Sequence, residues 1–382
     1  MNSIIDLGLM SLPWFIKPGD SLPPQAPLTL MRCSMCGLAQ LAHTVNPDLL
    51  FRTYGYRSGV NATMRNHLNA LAYQVKGMVP LTPKDAILDI GCNDGTFLSN
   101  FAFQAVTMGF DPADIQQVYT PDYFVKGYFE ERKVHSRAKI ISTLSMFYDV
   151  PDPKGMARSI RDILAPGGVW VCEMNYLYSM IQNMTFDHIC HEHLTYWLLG
   201  NFIAVASLAG LQVFHAELNG LNGGSIRIYA GHVGEREPDG SVASILGPEN
   251  DAYSIIDRDL QKKVRLVREA AEEWMAKKLS VAQVWAYGAS TRGLTMLHAL
   301  GLDRQQISAV AERNPEKHGR LYGGTGIPIV SEDAMRAARP DYLLVLPYSF
   351  IKEFKERESA YLRAGGRMIV PAPSWQEVSS AE

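Results

Sequence analysis

Leu88-Asp89-Ile90-Gly91-Cys92-Asn93-Asp94-Gly95 joins an apolar run to an acidic turn with two glycines, and the fold assignment starts from it. Ala86 to Ile90 is a short apolar run that stops at Gly91 and reads as a buried strand, and the two glycines sit where the following helix should start. Upstream, Asn66 to Gly77 carries a helical pattern. Downstream, Ala105 to Phe110, Lys139 to Leu144 and Val169 to Glu173 are further strand candidates, separated by helical stretches such as Met156 to Leu164, which Ala165-Pro-Gly-Gly168 stops. Strands alternating with helices imply a parallel, doubly wound α/β sheet. Leu211 to Leu218 and Ser225 to Gly231, joined by Gly220-Leu-Asn-Gly-Gly224, read as an antiparallel pair at its edge. A charged stretch from Asp251 to Lys278 has helical periodicity. It leads to a second alternation with strands at Gln283 to Tyr287, Ile307 to Ala311, Tyr342 to Pro347 and Gly366 to Val370. The expected organisation is a small irregular, Pro-rich N-terminal module over 1–62, an α/β domain over 63–250, a connecting helix over 251–280 and a second Rossmann-like domain over 281–382.

Composition narrows the function. A chain of 382 residues with 47% hydrophobic content can bury a large core and more than one domain. A net charge of -3 and a pI near 6.4 provide no general reason to bind nucleic acid or an anionic membrane, so a small-molecule substrate is expected. Cys33, Cys36, Cys92, Cys172 and Cys190 are an odd and sparse set, which argues against a disulfide framework and for a reducing, cytoplasmic setting. Met1 to Lys17 has no basic region before its apolar stretch, Pro13 interrupts it, and no later run is long enough to span a bilayer. Oligomeric state stays open.

Each α/β unit has a glycine turn after its first strand. The first is not the dinucleotide fingerprint, because the middle glycine of Gly-x-Gly-x-x-Gly is missing and Asp89 precedes the turn. S-adenosylmethionine carries no phosphate, and its amino group and sulfonium are positive, so an acidic turn suits it. Asp111, at the end of the next strand, can accept hydrogen bonds from both ribose hydroxyls. Asp89, Gly91, Asn93, Gly95 and Asp111 are thus the expected cofactor residues. The second turn, Tyr287-Gly288-Ala289-Ser290-Thr291-Arg292-Gly293, lacks the spacing of a nucleophile elbow, which needs glycine at Arg292. A hydroxyl-rich turn opening a helix, with Ser290 and Arg292 in it, offers N-H groups and a positive fork to a diphosphate. The plain alternative is a strand-to-helix turn with an exposed arginine.

Phe186-Asp-His-Ile-Cys-His-Glu-His193 places three of the ten histidines within eight residues. Histidine is suited both to proton transfer near neutral pH and to metal binding. His188, His191 and His193 lack the His-Glu-x-x-His spacing that puts two ligands one helical turn apart, which argues against a catalytic metal. Histidines that only satisfy core hydrogen bonds are the other alternative.

Taken together these segments resemble the nucleotide-sugar C-methyltransferases of deoxysugar pathways. The resemblance rests on Cys33-Ser-Met-Cys-Gly-Leu-Ala-Gln-Leu41, Leu88 to Phe97, Phe186 to His193, Asn222-Gly-Gly-Ser-Ile-Arg-Ile-Tyr229, Tyr287 to Gly293, and Arg313-Asn-Pro315 followed by Gly324-Thr-Gly-Ile-Pro328. It spans nearly the whole chain. It implies a zinc-type N-terminal module, a class I methyltransferase domain that uses S-adenosylmethionine and a Rossmann-like C-terminal domain. The implied reaction is methyl transfer to the carbon beside a ketone of a nucleotide-linked sugar. Carbon is a poor nucleophile until a base removes its proton and the enolate is stabilised. By resemblance the base is His193, Glu192 orients substrate or base, and His191 is a second candidate for either role. Tyr56, in Tyr54-Gly-Tyr-Arg-Ser58, matches the family's active-site tyrosine, with Tyr54 the alternative match. Tyr54, Arg57, Cys190, Asn222, Ser225, Ser290 and Arg292 are the implied substrate contacts.

Two positions depart from the family. Cys190 stands where a tyrosine is common, and Asp149, in Phe147-Tyr-Asp-Val150, stands where a histidine precedes Val-Pro-Asp. Both sites would hold or polarise the ketone, so a different sugar, or an O- or N-methyl acceptor of another small-molecule class, is the alternative reading. Cys33 and Cys36 supply two ligands of the four a closed structural zinc site needs. The earlier pair common in the family would fall before Met1, so two small residues in a turn are the favoured reading.

Overall fold

The computed structural model describes residues 1–52, 55–249 and 252–379, and over 252–259 only the backbone. The amino-terminal module holds β1 (Asn2–Ser11), β2 (Phe15–Ile16), β3 (Gln25–Arg32) and β4 (Ala39–Leu41). It is more regular than expected, since β1, β3 and β4 form an antiparallel sheet in which alternate residues such as Leu28 and Leu30 are buried.

The central sheet is built from β5 (Ala86–Ile90), β6 (Val106–Asp111), β7 (Tyr123–Lys126), β8 (Ala138–Leu144) and β9 (Leu164–Asn175), all parallel. Every residue of β5 is buried, as expected of a strand covered on both faces and flanked by parallel neighbours. The helix Ala62–Met78 turns Leu68, Leu71, Ala72 and Val75 onto one face, where they meet Ile87, Ile140 and Val171. Burying each of the larger aliphatic groups contributes about 1.5–3 kcal/mol. Leu88 and Ile141 point to the other face, into the larger core.

After β9 the chain makes β10 (Thr195–Tyr196), which leaves this sheet and pairs with β4, so the amino-terminal sheet is completed by a segment far along the chain. β11 (Leu211–Asn219) and β12 (Ser225–His232) are the expected antiparallel pair. The sheet order is β11-β12-β9-β8-β5-β6-β7, and its order reverses between β5 and β8. That switch point, at the carboxyl ends of the strands, is where open α/β sheets bind ligands.

The helix Ala252–Lys278 leads to β13 (Val284–Tyr287), β14 (Val310–Glu312), β15 (Leu321–Tyr322), β16 (Ile327–Ser331), β17 (Tyr342–Val345), β18 (Arg367–Val370) and β19 (Gln376–Val378). They form an eight-stranded sheet in the order β19-β18-β17-β13-β14-β16-β15-β2. Its central strands are parallel and its edge is β2 from the amino terminus, paired with β15. The amino-terminal module is therefore stitched to both α/β units.

Candidate active site

The Leu88–Gly95 turn builds one half of a cleft. Gly91 N-H and Cys92 N-H both donate to Phe110 O, at 2.8 and 3.0 Å, which locks the turn onto β6. Gly95 has φ +81°, and a Cβ there would lie 2.0 Å from the Tyr119 carbonyl oxygen, so only glycine fits. Gly95 therefore shapes the turn from behind; Gly91, Asn93, Asp89 and Asp111 are the members that reach the cleft wall. Asn93 N-H and Ala113 N-H each donate to Asp111 at 2.8 Å, aiming its carboxylate from the end of β6.

Asp89 accepts from Ser142 Oγ at 2.7 Å. Burial pushes its pKa up to about 7, with the Asp111 charge adding to the shift and the Ser142 bond opposing it. Burial also raises Asp111, against the two backbone donors, and Asp94 adds to that rise. Carboxylates that strain against one another beside a cavity are complementary to a cationic ligand. S-adenosylmethionine, with its ammonium and sulfonium, fits this donor set, and Asp89, Asn93 and Asp111 are the residues that would hold it.

The second half comes from the segment Phe186–His193, all of it buried. Phe147 packs against Trp170, Trp197 and Phe202 with ring centroids 5.3, 5.4 and 5.5 Å away, anchoring the chain on both sides of that segment. His193 Nδ1-H donates to His188 O at 2.9 Å, which leaves Nε2 as the lone-pair nitrogen. The Tyr148 ring lies 4.2 Å from the His193 ring and sets its tilt. Burial first, and then the Arg292 cation, pull the His193 pKa down to about 3, so the imidazole is neutral. His188 is lowered as well, by burial first and then by Arg292 and His193. Its Nε2-H donates to Asn222 O at 2.7 Å, and its Nδ1 faces the Asn175 amide.

These halves share one cleft of about 790 Å³, whose wall includes Tyr56, Asp149, Glu192, His193, Asn222 and Arg292. Tyr56 is 42% exposed as a residue, yet desolvation at its hydroxyl raises its pKa to about 12. Arg292 enters from the helix Thr291–Leu300 of the C-terminal sheet. Its guanidinium turns to His188 and to Asn222 Oδ1 at 3.4 Å, with Asp187 3.7 Å away. Ser290 also lines the cleft, but its Oγ accepts from Gly293 N-H at 3.0 Å as the helix cap.

Several expected residues lie elsewhere. His191 turns the opposite way and meets Ala26 O of β3 at 3.1 Å, because the chain turns at Cys190–His193, where His193 N-H donates to Cys190 O at 3.2 Å. Cys190 is buried and off the cleft wall; burial first, and then the charges of Glu192 and Asp149, raise its thiol pKa. Arg57 reaches Glu316 at 3.4 Å, and Ser225 Oγ donates to Leu221 O at 3.0 Å; neither is on the cleft wall. Tyr54 lies outside the described residues. Cys33 and Cys36 flank a turn closed by Gly37 N-H to Cys33 O at 3.0 Å. Among the described residues no group of three or more His, Cys, Asp or Glu could hold a metal ion, so a zinc site has no support. No helix there is long and apolar enough to cross a membrane.

Sequence reasoning missed Glu173 and Asn175, at the end of β9, and Lys317. The first two carried a usable signal, since they close a buried strand at the ligand-binding edge of the sheet. His67 and Arg227 hold the Glu173 carboxyl below the ordinary range although burial, the largest influence, acts the other way.

The fold and the acidic cofactor turn define an S-adenosylmethionine-dependent methyltransferase. Residues 56–216 match the family model described as "Methyltransferase domain", and residues 220–373 match "C-methyltransferase C-terminal domain". The chain is 30% identical over 369 residues to C-methyltransferase NovU of Streptomyces niveus, covering 93% of this chain and 88% of that protein. It is 26% identical over 94 residues to a ubiquinone biosynthesis O-methyltransferase of Escherichia fergusonii, covering 22% of this chain and 39% of that protein. Among solved structures, N-methyltransferase NodS of Bradyrhizobium japonicum with S-adenosyl-L-homocysteine aligns at 12% identity and a TM-score of 0.35, over 46% of this chain and 89% of that one. The chain belongs to the C-methyltransferase family that includes NovU.

Proposed function

We propose that the enzyme methylates a carbon adjacent to the carbonyl of a nucleotide-linked sugar, with His193 as the base. The observation that carries this reading is the His193 ring itself. Its Nδ1-H is tied to His188 O, its Nε2 makes no hydrogen bond among the described residues, and it lines the same cleft as Asp89 and Asp111. A neutral imidazole with one free lone pair beside a methyl-donor site can take the proton that carbon must lose before it becomes a nucleophile. S-adenosylmethionine, when bound, supplies an electrophilic methyl group that the carbon nucleophile takes while the bonding pair stays on sulfur.

His193 Nε2 receives the proton of the C-H bond, and the Arg292 charge nearby favours the negative charge left behind. Glu192 and Tyr56 flank the acceptor space. The N-terminus of the helix Thr291–Leu300, together with Lys317, faces the cleft and provides N-H groups and a cation for the diphosphate.

The test is solvent exchange in deuterium oxide with S-adenosylhomocysteine present and nucleotide ketosugars as acceptors. The wild type is expected to incorporate deuterium beside the carbonyl, and His193→Ala to bind S-adenosylhomocysteine but exchange nothing. Full methylation by His193→Ala, or methylation without any exchange, removes the assignment.

A further inference from the structure

Asp149 and Glu192 both line the acceptor side of the cleft. Glu192 is 97% buried, being 3% exposed, and neither of its carboxyl oxygens has a hydrogen-bond partner. Asp149 Oδ1 is likewise buried without a partner. Thr291 and Cys190 come near enough to Glu192 to favour its charge without reaching hydrogen-bond geometry. A buried charge left unpaired costs several kcal/mol or is removed by protonation. Two carboxyls on one cleft wall, each with buried oxygens left unpaired, relieve that cost when one of them keeps a proton.

Resting on the reading of this enzyme as a carbon methyltransferase, we propose that the Asp149 and Glu192 pair retains one proton, carried by Asp149, and that this protonated carboxyl donates a hydrogen bond to the carbonyl oxygen of the acceptor. The electrostatics agree, since burial and then the Glu192 charge push Asp149 well above the carboxylate range. Burial raises Glu192 as well, while Arg292 opposes the rise, so Asp149 is the member that keeps the proton. Cys190 and Tyr196 also face the pair, and both are raised by burial and by the charges of Glu192 and Asp149. They add no cation that would ionise both acids.

The chemistry then balances within the chain. His193 Nε2 takes the proton of the C-H bond, the electron pair of that bond moves into the enolate, and the oxygen that gains charge meets the hydrogen held by the carboxyl. When the carbonyl re-forms, the hydrogen bond returns to its resting strength and the carboxyl keeps its proton. A neutral carboxylic acid kept protonated in an apolar site is a known means of stabilising an enolate.

Two measurements on the full-length protein test this. Infrared difference spectra of the ligand-free enzyme at neutral pH are expected to show a protonated-carboxyl stretch that Asp149→Asn removes and Glu192→Gln shifts. A band indifferent to both substitutions overturns the retained proton. Solvent exchange with a thymidine-diphosphate ketohexose and S-adenosylhomocysteine is expected to slow by about 10²–10³-fold in Asp149→Leu, the usual loss for one oxyanion donor. Asp149→Asn, which retains a neutral donor, is expected to stay within about tenfold of wild type. Calorimetric binding of S-adenosylhomocysteine by both variants checks that the fold is intact. Exchange by Asp149→Leu at the wild-type rate overturns the donor role. Methylation by the wild type with no exchange at all overturns instead the carbon-methylation reading, and the donor role with it; the infrared result reads the proton independently of either.

Discussion

Arg292 Nη1, from the C-terminal unit, touches the His188 ring of the methyltransferase half, so the cation beside the buried cleft histidines comes from a segment 104 residues away in sequence. Removing that charge should let His193 protonate more easily, because Arg292 is the second cause, after burial, of its depressed pKa. In Arg292→Gln the imidazole titration, followed by NMR, is expected to move upward from about 3, and the acid limb of the rate profile to move with it. An unchanged titration would show that burial alone sets the value.

Asp89 predicts a proton linkage to ligand binding. With its folded-state pKa near 7, a cationic ligand must drive off the proton it still partly holds at neutrality. S-adenosylhomocysteine, which keeps the ammonium, should bind more tightly as pH rises through about 7 and should release protons in calorimetry run in buffers of different ionisation enthalpy. Asp89→Asn is expected to abolish the release and weaken binding by about 2 kcal/mol.

The same residue sets a stability trend in the free enzyme. Its folded value is raised above the ordinary 3.8, so the native state retains a proton that the unfolded chain has lost. The stabilising contribution is full below pH 3.8 and is lost as pH rises through about 7. Melting temperatures across that window should fall less steeply for Asp89→Asn than for wild type.

Gly95→Ala should be strongly destabilising, by at least about 2 kcal/mol, because the new Cβ meets a backbone oxygen and the positive φ disfavours any L side chain. Urea unfolding of the purified variant measures it. Stability equal to wild type would mean that the turn can move off Tyr119.

Arg227 donates to Glu173 at 2.7 Å and to Glu217 at 2.8 Å, and its side chain is 8% exposed. Arg227→Leu leaves the Glu173 carboxylate buried with less compensation, and a loss of about 3–5 kcal/mol is expected in denaturant titration. Replacing Glu173 with Gln in the same background should recover part of that loss.

Features written in neighbours along the chain were legible without coordinates. The buried run Ala86 to Ile90, the glycines after it and Asp111 one strand later determine the turn, since strand period and positive-φ positions are local backbone requirements. The second alternation from Gln283 was legible for the same reason. Less local pairings were not: β2 joins the edge of a sheet whose other strands lie beyond residue 283, and β10 completes the amino-terminal sheet.

In the histidine segment the residues themselves announced chemistry, but their directions did not follow from the order in which they occur. His193 faces the cleft and His191 faces Ala26 because Tyr148, His188 O and β3 take up the two rings from different sides. Asp149 stood out in the sequence only as a departure; it shares a cleft wall with Glu192 because two loops close over one cavity. Local sequence was therefore enough for the core strands of both sheets, the acidic glycine turn and the residue types that line the cleft. Which side chains share that cleft and which charges they feel came only with folding, because burial and electrostatic proximity depend on segments far apart in the chain.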